Sequence, residues 1–308
     1  MSKPKIFIDG EAGTTGLQIC DRLAALPAVE VIRIDPADRK DPASRAALYE
    51  QAAVVILCLP DEAAIDAAAL AATLGAKSPR LIDASSAHRV APGWTYGFAE
   101  LNALQTAAIK SAKHISNPGC YPTGAIALLR PLVDAGLIPA DHPITVNAVS
   151  GYSGGGNAMI ASFETTHSAP AFELYALGLT HKHIPELEKY AGLTKRPIFV
   201  PSVGNFRAGM LVSIPLHLDS LPGKPTPADL EAALKTHYKD AALVSVIPLA
   251  PEKDRLAAET LANTDKLELR VYGNASQHQA VLVARLDNLG KGAAGAAVQN
   301  LKLMLGLA

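Results

Sequence analysis

The sequence contains few features that would assign the protein to a specialised environment. It has three cysteines in 308 residues, Cys20, Cys58 and Cys120. This odd and sparse number predicts free thiols in a reducing cytoplasm rather than a disulfide framework. The formal net charge is −1, so the chain lacks the basic excess that favours nucleic acid or an anionic membrane surface. Runs of about 18 apolar residues are absent, so no membrane-spanning helix is expected. The apolar stretch near the N-terminus is too short for a signal-peptide core and contains Asp9, so no signal peptide is expected.

Hydrophobic residues make up 49% of the chain, and its length predicts two domains. The first third alternates short apolar runs with helix-like segments. Such alternation is typical of an α/β fold with a parallel, Rossmann-type sheet and right-handed crossovers. The predicted strands cover residues 6–8, 29–34, 53–59 and 80–82, and the predicted helices cover residues 17–26, 43–50 and 60–75.

The remainder of the chain has the pattern of an α+β domain with a mixed or antiparallel sheet. Its last segment, 293–305, has apolar residues at helical spacing and is expected to fold back onto the first domain. A loop is predicted at 151–156. The predicted strands cover 144–149, 198–201, 210–218, 243–247, 267–272 and 279–286, and the predicted helices cover 124–135, 185–191 and 227–238.

A glycine-rich turn follows the first predicted strand. Gly10, Gly13 and Gly16 have the spacing GxxGxxG and precede a helix. Glycines in such a turn let the backbone approach a pyrophosphate, and the helix N-terminus adds amide groups and a positive dipole end. Thr14 and Thr15 can cap that helix or bind phosphate. The alternative is an ordinary glycine turn of an α/β domain.

The choice between NAD and NADP stays open at this stage. Asp35 lies about 20 residues past the glycine turn, where an acidic residue often binds the ribose hydroxyls of NAD. Four basic residues that suit a 2′-phosphate surround it. These are Arg33, Arg39, Lys40 and Arg45.

Cys120 lies in an unusual position for a structural cysteine. The dipeptide Pro118–Gly119 predicts a turn, and Pro122 suits the first turn of the helix predicted at 124–135. Cys120 is therefore expected at a helix N-terminus, where the dipole and the amides lower a thiol pKa and can hold an oxyanion. Asn117 can donate a hydrogen bond to the same region. For the other two cysteines the structural interpretation is preferred.

A thiolate nucleophile needs an acid–base partner, and the stretch HKHIPE supplies candidates. His181 and His183 precede Pro185, which is expected to begin a helix whose dipole keeps a histidine neutral. In an extended segment the two histidines would share one face. Glu186 can orient one of the imidazoles or stabilise the helix start. Ligands with metal-site spacing are absent nearby, so no metal is expected.

Other stretches provide candidate anion sites. Successive amides of a glycine-rich loop form a nest for phosphate, which predicts anion binding by Ser150, Gly151, Ser153 and Gly154. Ser85 and Ser86 follow a strand of the first domain, where they can line the cofactor groove or cap the next helix. Lys182 and Arg207 are further candidates for contact with an anionic substrate.

Six stretches together resemble the N-acetyl-γ-glutamyl-phosphate reductases, in the short form of that arginine-biosynthesis enzyme. In chain order they are GEAGTTG, DASSAHR, SNPGCYPTG, SGYSGGG, HKHIPEL and NLGKGAAGAAVQNLKLMLGL. The third and fifth are the most specific. This family is related in fold and mechanism to aspartate-semialdehyde dehydrogenase.

The resemblance implies a Rossmann domain at 1–116, completed by 290–308, and a catalytic and oligomerisation domain at 117–289. By position, Cys120 matches the family's nucleophile and His181 its acid–base residue, with His183 as the alternative. The implied reaction is reduction of N-acetylglutamyl 5-phosphate, a small acyl phosphate, to N-acetylglutamate 5-semialdehyde and phosphate. The implied cofactor is NADP(H), and the implied assembly is a homo-oligomer, either dimer or tetramer.

Three alternatives remain at this point. The first is a reductase of aspartyl phosphate on the same scaffold. The second is a cysteine hydrolase with a similar fold, which would act without any change in nicotinamide absorbance. The third is a dinucleotide sensor without catalytic activity.

Overall fold

The computed structural model describes residues 2–248 and 254–307 and divides into two compact units. Unit 1 comprises residues up to Ala99, Leu104–Pro118 and the segment from Ala293 onward, and unit 2 comprises Glu100–Ala103 and Gly119–Gly292. The domain boundaries predicted from the sequence lie between residues 116 and 117 and between residues 289 and 290. Met1 and Ala308, the first and last residues of the predicted first domain, lie outside the described residues.

Unit 1 contains a six-stranded sheet in which every paired strand is parallel to its neighbour. The strand order is β2-β1-β3-β4-β6-β5. Strand β3 reads VVIL and is buried along its whole length, as expected for a central strand covered on both faces. The strands are β1 (Lys5–Asp9), β2 (Glu30–Ile32), β3 (Val54–Leu57), β4 (Arg80–Asp83), β5 (Thr95–Tyr96) and β6 (His114–Ser116).

The helices of unit 1 cover both faces of this sheet. One apolar cluster centres on Ile19, Ile56 and Leu301, and a second centres on Phe7, Tyr49 and Ala67. The helices are α1 (Thr14–Ala24), α2 (Pro42–Gln51), α3 (Asp61–Thr73), α4 (Gln105–Ser111) and, from the end of the chain, α9 (Gly295–Leu305). Helix α9 packs against α1 and α4, so the last segment of the chain lies within unit 1.

Unit 2 contains a seven-stranded sheet in the order β11-β12-β13-β10-β7-β9-β8. It is mixed, because β7 pairs parallel to β9 and antiparallel to β10. The strands are β7 (Thr145–Gly151), β8 (Phe172–Leu174), β9 (Ile198–Gly204), β10 (Met210–His217), β11 (Val244–Val246), β12 (Leu267–Asn274) and β13 (Gln279–Leu286). The predicted α+β architecture with a mixed sheet is confirmed.

The helices of unit 2 give this sheet two unlike faces. Helices α5 (Cys120–Asp134) and α8 (Pro227–Tyr238) pack on the face that carries buried residues such as Val212 and Ala284, and α7 (Ile184–Ala191) packs on α5. The remaining helix is α6 (Gly156–Glu164). The opposite face lines an open apolar groove of about 600 Å³, formed by alternate residues of the strands.

Several elements differ from their predictions. The segment predicted as a loop at 151–156 instead ends strand β7, forms a 3₁₀ turn at Tyr152–Gly155 and starts α6 at Gly156. The sequence pattern also missed β5, β6, β8 and α4, which are short, and it missed helix α6. A π-helical turn, Gly290–Ala294, precedes α9. No helix among residues 2–248 and 254–307 combines the length and the hydropathy needed to cross a membrane.

Candidate active site

Cys120 is the first residue of α5, four residues before the predicted helix start. Gly119 precedes the helix with extended backbone angles, φ −74° and ψ 153°, and no side chain caps this end. The cysteine therefore lies where helix amides and the positive end of the dipole meet. This is the environment that favours a thiolate over a thiol.

Two hydrogen bonds hold the turn that presents Cys120. The Gly119 N–H donates to Glu186 Oε1 at 2.8 Å, and the Thr123 hydroxyl donates to the Gly119 carbonyl at 2.8 Å. Glu186 is buried, with 1% of its surface exposed. It lies in the first turn of α7, so this carboxylate ties α7 to the start of the cysteine helix.

The two histidines lie in a turn just before α7 rather than in an extended segment, so the predicted strand-like geometry is wrong. The His183 backbone N–H donates to His181 Nδ1 at 3.1 Å, and the two ring centroids lie 4.6 Å apart. Because Nδ1 accepts this hydrogen bond, neutral His181 carries its proton on Nε2. His181 is thus arranged to donate from Nε2.

Aromatic rings enclose His181. The rings of Phe199 and Tyr121 contact it edge-on, with centroids at 5.1 Å and 6.1 Å, and the Tyr175 ring lies at 5.7 Å. Phe199 is buried on β9, and Tyr121 is the residue after the cysteine. This packing restricts the orientation of the imidazole and connects it to the start of α5.

The Tyr175 hydroxyl donates to the Tyr121 hydroxyl at 3.2 Å, which donates to the Ser202 carbonyl at 3.0 Å. The pKa of Tyr175 is raised to about 12, mainly by burial; the bond to Tyr121 opposes this shift, and a negative charge on Cys120 contributes to it. Burial is also the main cause of the raised pKa of Tyr121, with contributions from Tyr175 and Cys120. Both phenols are therefore neutral hydrogen-bond donors near the thiol.

The predicted anion nest is partly engaged within the protein. The amides of Gly151, Tyr152 and Ser153 donate to backbone carbonyls of the 206–209 turn, so they form an internal contact rather than an open nest. The side chains of Ser150 and Ser153 are buried at 3% and 1% exposure. Gly154 lies close to Ser150, since a methyl group at this position would lie 3.1 Å from the Ser150 hydroxyl.

The two cations predicted to contact an anionic substrate, Arg207 and Lys182, have different surroundings in the structure. Arg207 forms a close ion pair with Glu164 on α6, and Glu164 also accepts the Tyr152 hydroxyl at 3.0 Å. Lys182 is exposed in the turn between the two histidines. Only Lys182 therefore lies directly beside the histidine pair.

The remaining predicted site residues lie in unit 1. Asn117 Nδ2 donates to the Ala293 carbonyl at 3.0 Å, and its Oδ1 accepts from Asn300 at 3.2 Å. The Ser85 hydroxyl donates to Asp83, and the Ser86 hydroxyl donates to Asp61, each at 2.7 Å. A turn, not a helix, follows these serines, so the proposed role as helix caps is wrong.

The glycine turn of unit 1 fits a dinucleotide. Gly10 has φ +91°, and a methyl group there would collide with the Cys58 carbonyl. At Gly16 a methyl group would lie 2.6 Å from the Gly10 carbonyl. Helix α1 begins after Gly13 without a side-chain cap, so the capping role predicted for Thr14 and Thr15 is wrong. A bare helix end after a glycine turn is suited to a pyrophosphate.

The basic residues near Asp35 divide into two groups. Arg33 bonds Glu11 at 3.1 Å, and Arg45 bonds the buried Asp9 at 2.6 Å. Arg39 and Lys40 lie in an exposed turn. Asp35 accepts the Ala37 N–H at 2.8 Å, as a turn-forming aspartate does. Arg39 and Lys40 are consequently the better placed of these cations for a phosphate.

The structure adds residues that the sequence patterns did not single out. Asn288 Nδ2 donates to the Ser153 hydroxyl at 2.9 Å, and Asn288 Oδ1 accepts the Gly209 N–H at 2.9 Å. Lys291 is buried and bonds both carboxylate oxygens of Glu100 at 2.8 and 2.7 Å. Both residues belong to the stretch NLGKG, which the family resemblance contains, but nothing in its pattern indicates these contacts.

The protein combines a parallel-sheet unit with a dinucleotide-type glycine turn and a mixed-sheet unit with a helix-start cysteine. Comparison with known proteins assigns this combination to the oxidoreductases of the semialdehyde dehydrogenase class. Residues 120–288 match the family model described as semialdehyde dehydrogenase, dimerisation domain. The fold resembles aspartate semialdehyde dehydrogenase II from Vibrio cholerae in complex with ASA, with TM-score 0.74 at 16% identity over 99% of both chains. It also resembles the Candida albicans enzyme with NADP, with TM-score 0.68 at 13% identity over 99% of both chains.

The chain belongs to the N-acetyl-γ-glutamyl-phosphate reductase family. It is 52% identical over 308 residues to the N-acetyl-gamma-glutamyl-phosphate reductase of Sinorhizobium fredii, covering 98% of this chain and 99% of the relative. It is 53% identical over 311 residues to that of Brucella ovis, covering 99% of each. The family resemblance found in the sequence is thereby confirmed.

Proposed function

We propose that the protein reduces N-acetylglutamyl 5-phosphate to N-acetylglutamate 5-semialdehyde and phosphate, with NADPH as the reductant. The observation that carries this proposal is the position of Cys120 at the bare N-terminus of α5, in the same unit as the enclosed His181. The membership of the chain in the reductase family supports the choice of substrate.

Cys120 acts as the nucleophile. Its thiolate attacks the acyl carbon of the substrate, a carbon–sulfur bond forms, and the bond from carbon to the phosphate oxygen breaks with release of phosphate. The N-terminal amides of α5 stabilise the negative oxygen that develops on the carbonyl. Formation of the thioester divides the reduction of the acyl phosphate into two easier steps, acyl transfer to sulfur and reduction of the thioester.

His181 acts as the acid–base residue for the substrate oxygen. Its Nε2–H donates a hydrogen bond to the developing oxygen anion, and the ring takes up or returns a proton as the thiohemiacetal collapses to the aldehyde. The bond from His183 N–H to Nδ1 keeps Nε2 available for this role. His183 supports the turn, and Glu186 fixes the turn against α5.

The cofactor residues are assigned to unit 1. The turn of Gly10, Gly13 and Gly16 holds the pyrophosphate, with Thr14 and Thr15 at the helix start. Arg39 contacts the 2′-phosphate, and Ser85 and Ser86 line the dinucleotide groove. When bound, NADPH supplies the hydride that reduces the thioester.

The leaving phosphate and the substrate carboxylate need cationic or hydroxyl partners. We assign the phosphate to the buried hydroxyls of Ser150 and Ser153, together with the backbone near Gly154. Lys182 lies beside the histidines and is assigned to the substrate carboxylate. Arg207 is the alternative for this contact, with its ion pair to Glu164 as a competing interaction.

The direct test is the reverse reaction. N-acetylglutamate semialdehyde should reduce NADP only when inorganic phosphate or arsenate is present, and aspartate semialdehyde should be turned over much more slowly. A preference for aspartate semialdehyde would instead indicate a reductase of aspartyl phosphate. Thiol-dependent hydrolysis without nicotinamide absorbance change would indicate a hydrolase, and an absence of turnover with retained NADPH binding would indicate a sensor.

We further propose that the protein is a homodimer that pairs through the open face of the unit 2 sheet. This face carries apolar side chains on five neighbouring strands, β13, β10, β7, β9 and β8, including Leu174, Val149, Leu211 and Val283. The exposed Phe172, at 56%, extends this surface to the sheet edge. The family model that matches this unit is described as a dimerisation domain, and a second copy is the occupant that this surface suits.

Sedimentation of the purified protein tests the assembly. The wild type should sediment at about twice the 32.1 kDa of one chain, and Val281→Asp should lower that mass. Leu104→Asp is the matched control, because Leu104 is 78% exposed and lies in unit 1. A monomeric wild type, or a Val281→Asp variant with unchanged mass, would contradict this interface. A tetramer that Val281→Asp reduces to smaller assemblies would support it.

A further inference from the structure

The segment 287–292 lies directly behind the cysteine of the proposed nucleophile helix, and we refer to it as the 287–292 strap. Gly292 contacts Cys120 so closely that a methyl group added to Gly292 would lie 2.8 Å from the Cys120 Cβ, 3.0 Å from the Asp287 carbonyl oxygen and 3.2 Å from the Cys120 Cα. The backbone of Gly292 does not have a positive φ. Steric contact, above all with the cysteine and also with the Asp287 carbonyl, therefore disfavours a side chain at this position, whereas the backbone conformation would allow one.

Contacts within unit 2 hold the strap in place. The Gly292 N–H donates to the Asp287 carbonyl at 3.0 Å, and the Asp287 carboxylate accepts the Leu289 N–H at 2.9 Å. Gly290 packs onto the Thr264 carbonyl so closely that it admits no side chain. The two hydrogen bonds fix the shape of the strap, and the packing of Gly290 on Thr264 holds the strap against the rest of unit 2.

A buried ion pair anchors the middle of the strap. Lys291 is 1% exposed, and its ammonium bonds both carboxylate oxygens of Glu100. The Glu100 carbonyl in turn bonds His237 on α8 at 3.0 Å. A buried ion pair of this kind fixes a geometry strongly, because breaking it leaves an uncompensated charge in the interior.

The strap also contacts the serine segment. Asn288 bonds the Ser153 hydroxyl and the Gly209 N–H, and it is itself 1% exposed. One rigid turn thus contacts both the cysteine and a hydroxyl assigned to the leaving phosphate. The π-helical turn Gly290–Ala294, which overlaps the end of the strap, is a local irregularity of the kind that often marks functional sites.

We propose that Gly292 is a positioning residue for Cys120, and that the 287–292 strap sets the cysteine at the amide end of α5 and in register with Ser153. This inference rests on the proposed role of Cys120 as nucleophile. Its physical content is steric: a methyl group at Gly292 forces the strap and the cysteine apart, which disturbs the position of the cysteine at the helix end where the thiolate is stabilised.

The test compares Gly292→Ala with Gly273→Ala. Gly273 lies at the opposite end of the unit 2 sheet, and a methyl group there would collide with Pro227 instead. The rate at which iodoacetamide alkylates Cys120 is measured against pH by peptide mass spectrometry, together with kcat, KM for NADPH and Tm. Burial raises the pKa of Cys58 and that of Cys20, so these two thiols react slowly.

Gly292→Ala should move the alkylation midpoint to higher pH and lower kcat by roughly 10- to 100-fold, with KM for NADPH within about twofold of wild type. Gly273→Ala should lower Tm and leave the alkylation profile and kcat within about twofold of wild type. A wild-type alkylation profile and kcat in Gly292→Ala would overturn the proposal. So would parallel losses in both variants.

If Gly292→Ala does not fold, the double variant Cys120→Gly/Gly292→Ala provides the answer, because it removes the Cβ that the new methyl group meets. Recovery of folding supports the contact, and failure to recover overturns it. The alkylation readout needs no substrate, so it is independent of the reductase assay. Wild-type protein without reductase activity would refute the proposed function alone, and an unshifted alkylation profile would refute the strap alone.

Discussion

The carboxylate of Glu186 accepts the Gly119 N–H at 2.8 Å, across 67 residues of sequence. Gly119 is the residue before Cys120, and Glu186 lies three residues after His183 in the first turn of α7. One buried hydrogen bond therefore connects the turn of the histidines to the turn of the cysteine. It places the proposed acid–base group and the proposed nucleophile in one rigid arrangement.

This bond predicts a difference between two substitutions of Glu186. Glu186→Ala should destabilise the protein by about 1–3 kcal/mol, because the buried Gly119 N–H loses its acceptor. Glu186→Gln retains an oxygen acceptor and should keep most of that stability. Urea unfolding of the two variants and wild type measures the effect. Equal losses in both variants would show that the charge, and not the acceptor, matters.

Replacement of the nucleophile should separate chemistry from cofactor binding. Cys120→Ser should lower kcat by at least about 1,000-fold, because an alcohol at this position is a far weaker nucleophile than a thiolate. NADPH binding, followed by its fluorescence, should stay within about threefold of wild type. Cys20→Ser is the matched control and should keep its activity. Retained turnover in Cys120→Ser would refute the thioester mechanism.

Cofactor preference should depend on the exposed turn after β2. Replacing Arg39 and Lys40 together by serine should raise KM for NADPH by roughly tenfold while leaving KM for NADH unchanged, since only NADPH carries the 2′-phosphate. Steady-state kinetics with both reductants measures this. Replacing Lys3, which is exposed elsewhere in the same unit, should change neither constant. An equal change for both reductants would point to a general defect of the turn.

The stability of unit 1 should depend on pH through His114. Burial lowers the pKa of His114, with smaller contributions from Lys113 and His88. Its contribution to stability is present above the unfolded-state pKa of about 6.5 and is lost as the pH falls through the lower folded-state value. Urea unfolding at pH 8 and pH 5.5 can be followed by Trp94, whose ring lies 5.0 Å from His114.

In that experiment, His114→Gln should flatten the pH dependence of the unfolding free energy relative to wild type. His217→Gln is the matched control, because His217 is exposed at the surface of unit 2, and it should retain the wild-type slope. The hypothesis fails if both variants keep the same slope as wild type.

The sequence by itself determined the features that depend on residues close together in the chain, namely most helices and strands and the helix start at Cys120. The alternation of apolar runs and helix-like segments predicted most elements of unit 1. The sequence Pro118–Gly119 ahead of an apolar run placed Cys120 at a helix start, because turn residues and helix-starting prolines act within a few residues. Short elements such as β5 and β8 were missed, because two or three residues carry too little pattern.

Tertiary structure decided the contacts that make the candidate site. Glu186 meets Gly119, and Asn288 meets Ser153, through segments separated by 67 and 135 residues. Three further features depend on such pairings as well. They are the turn that holds the two histidines, the hydrogen bonds from the glycine-loop amides to the 206–209 turn, and the contact of the 287–292 strap with Cys120. Sequence periodicity fixes which face of an element is buried, whereas the choice of partner depends on how the whole chain packs.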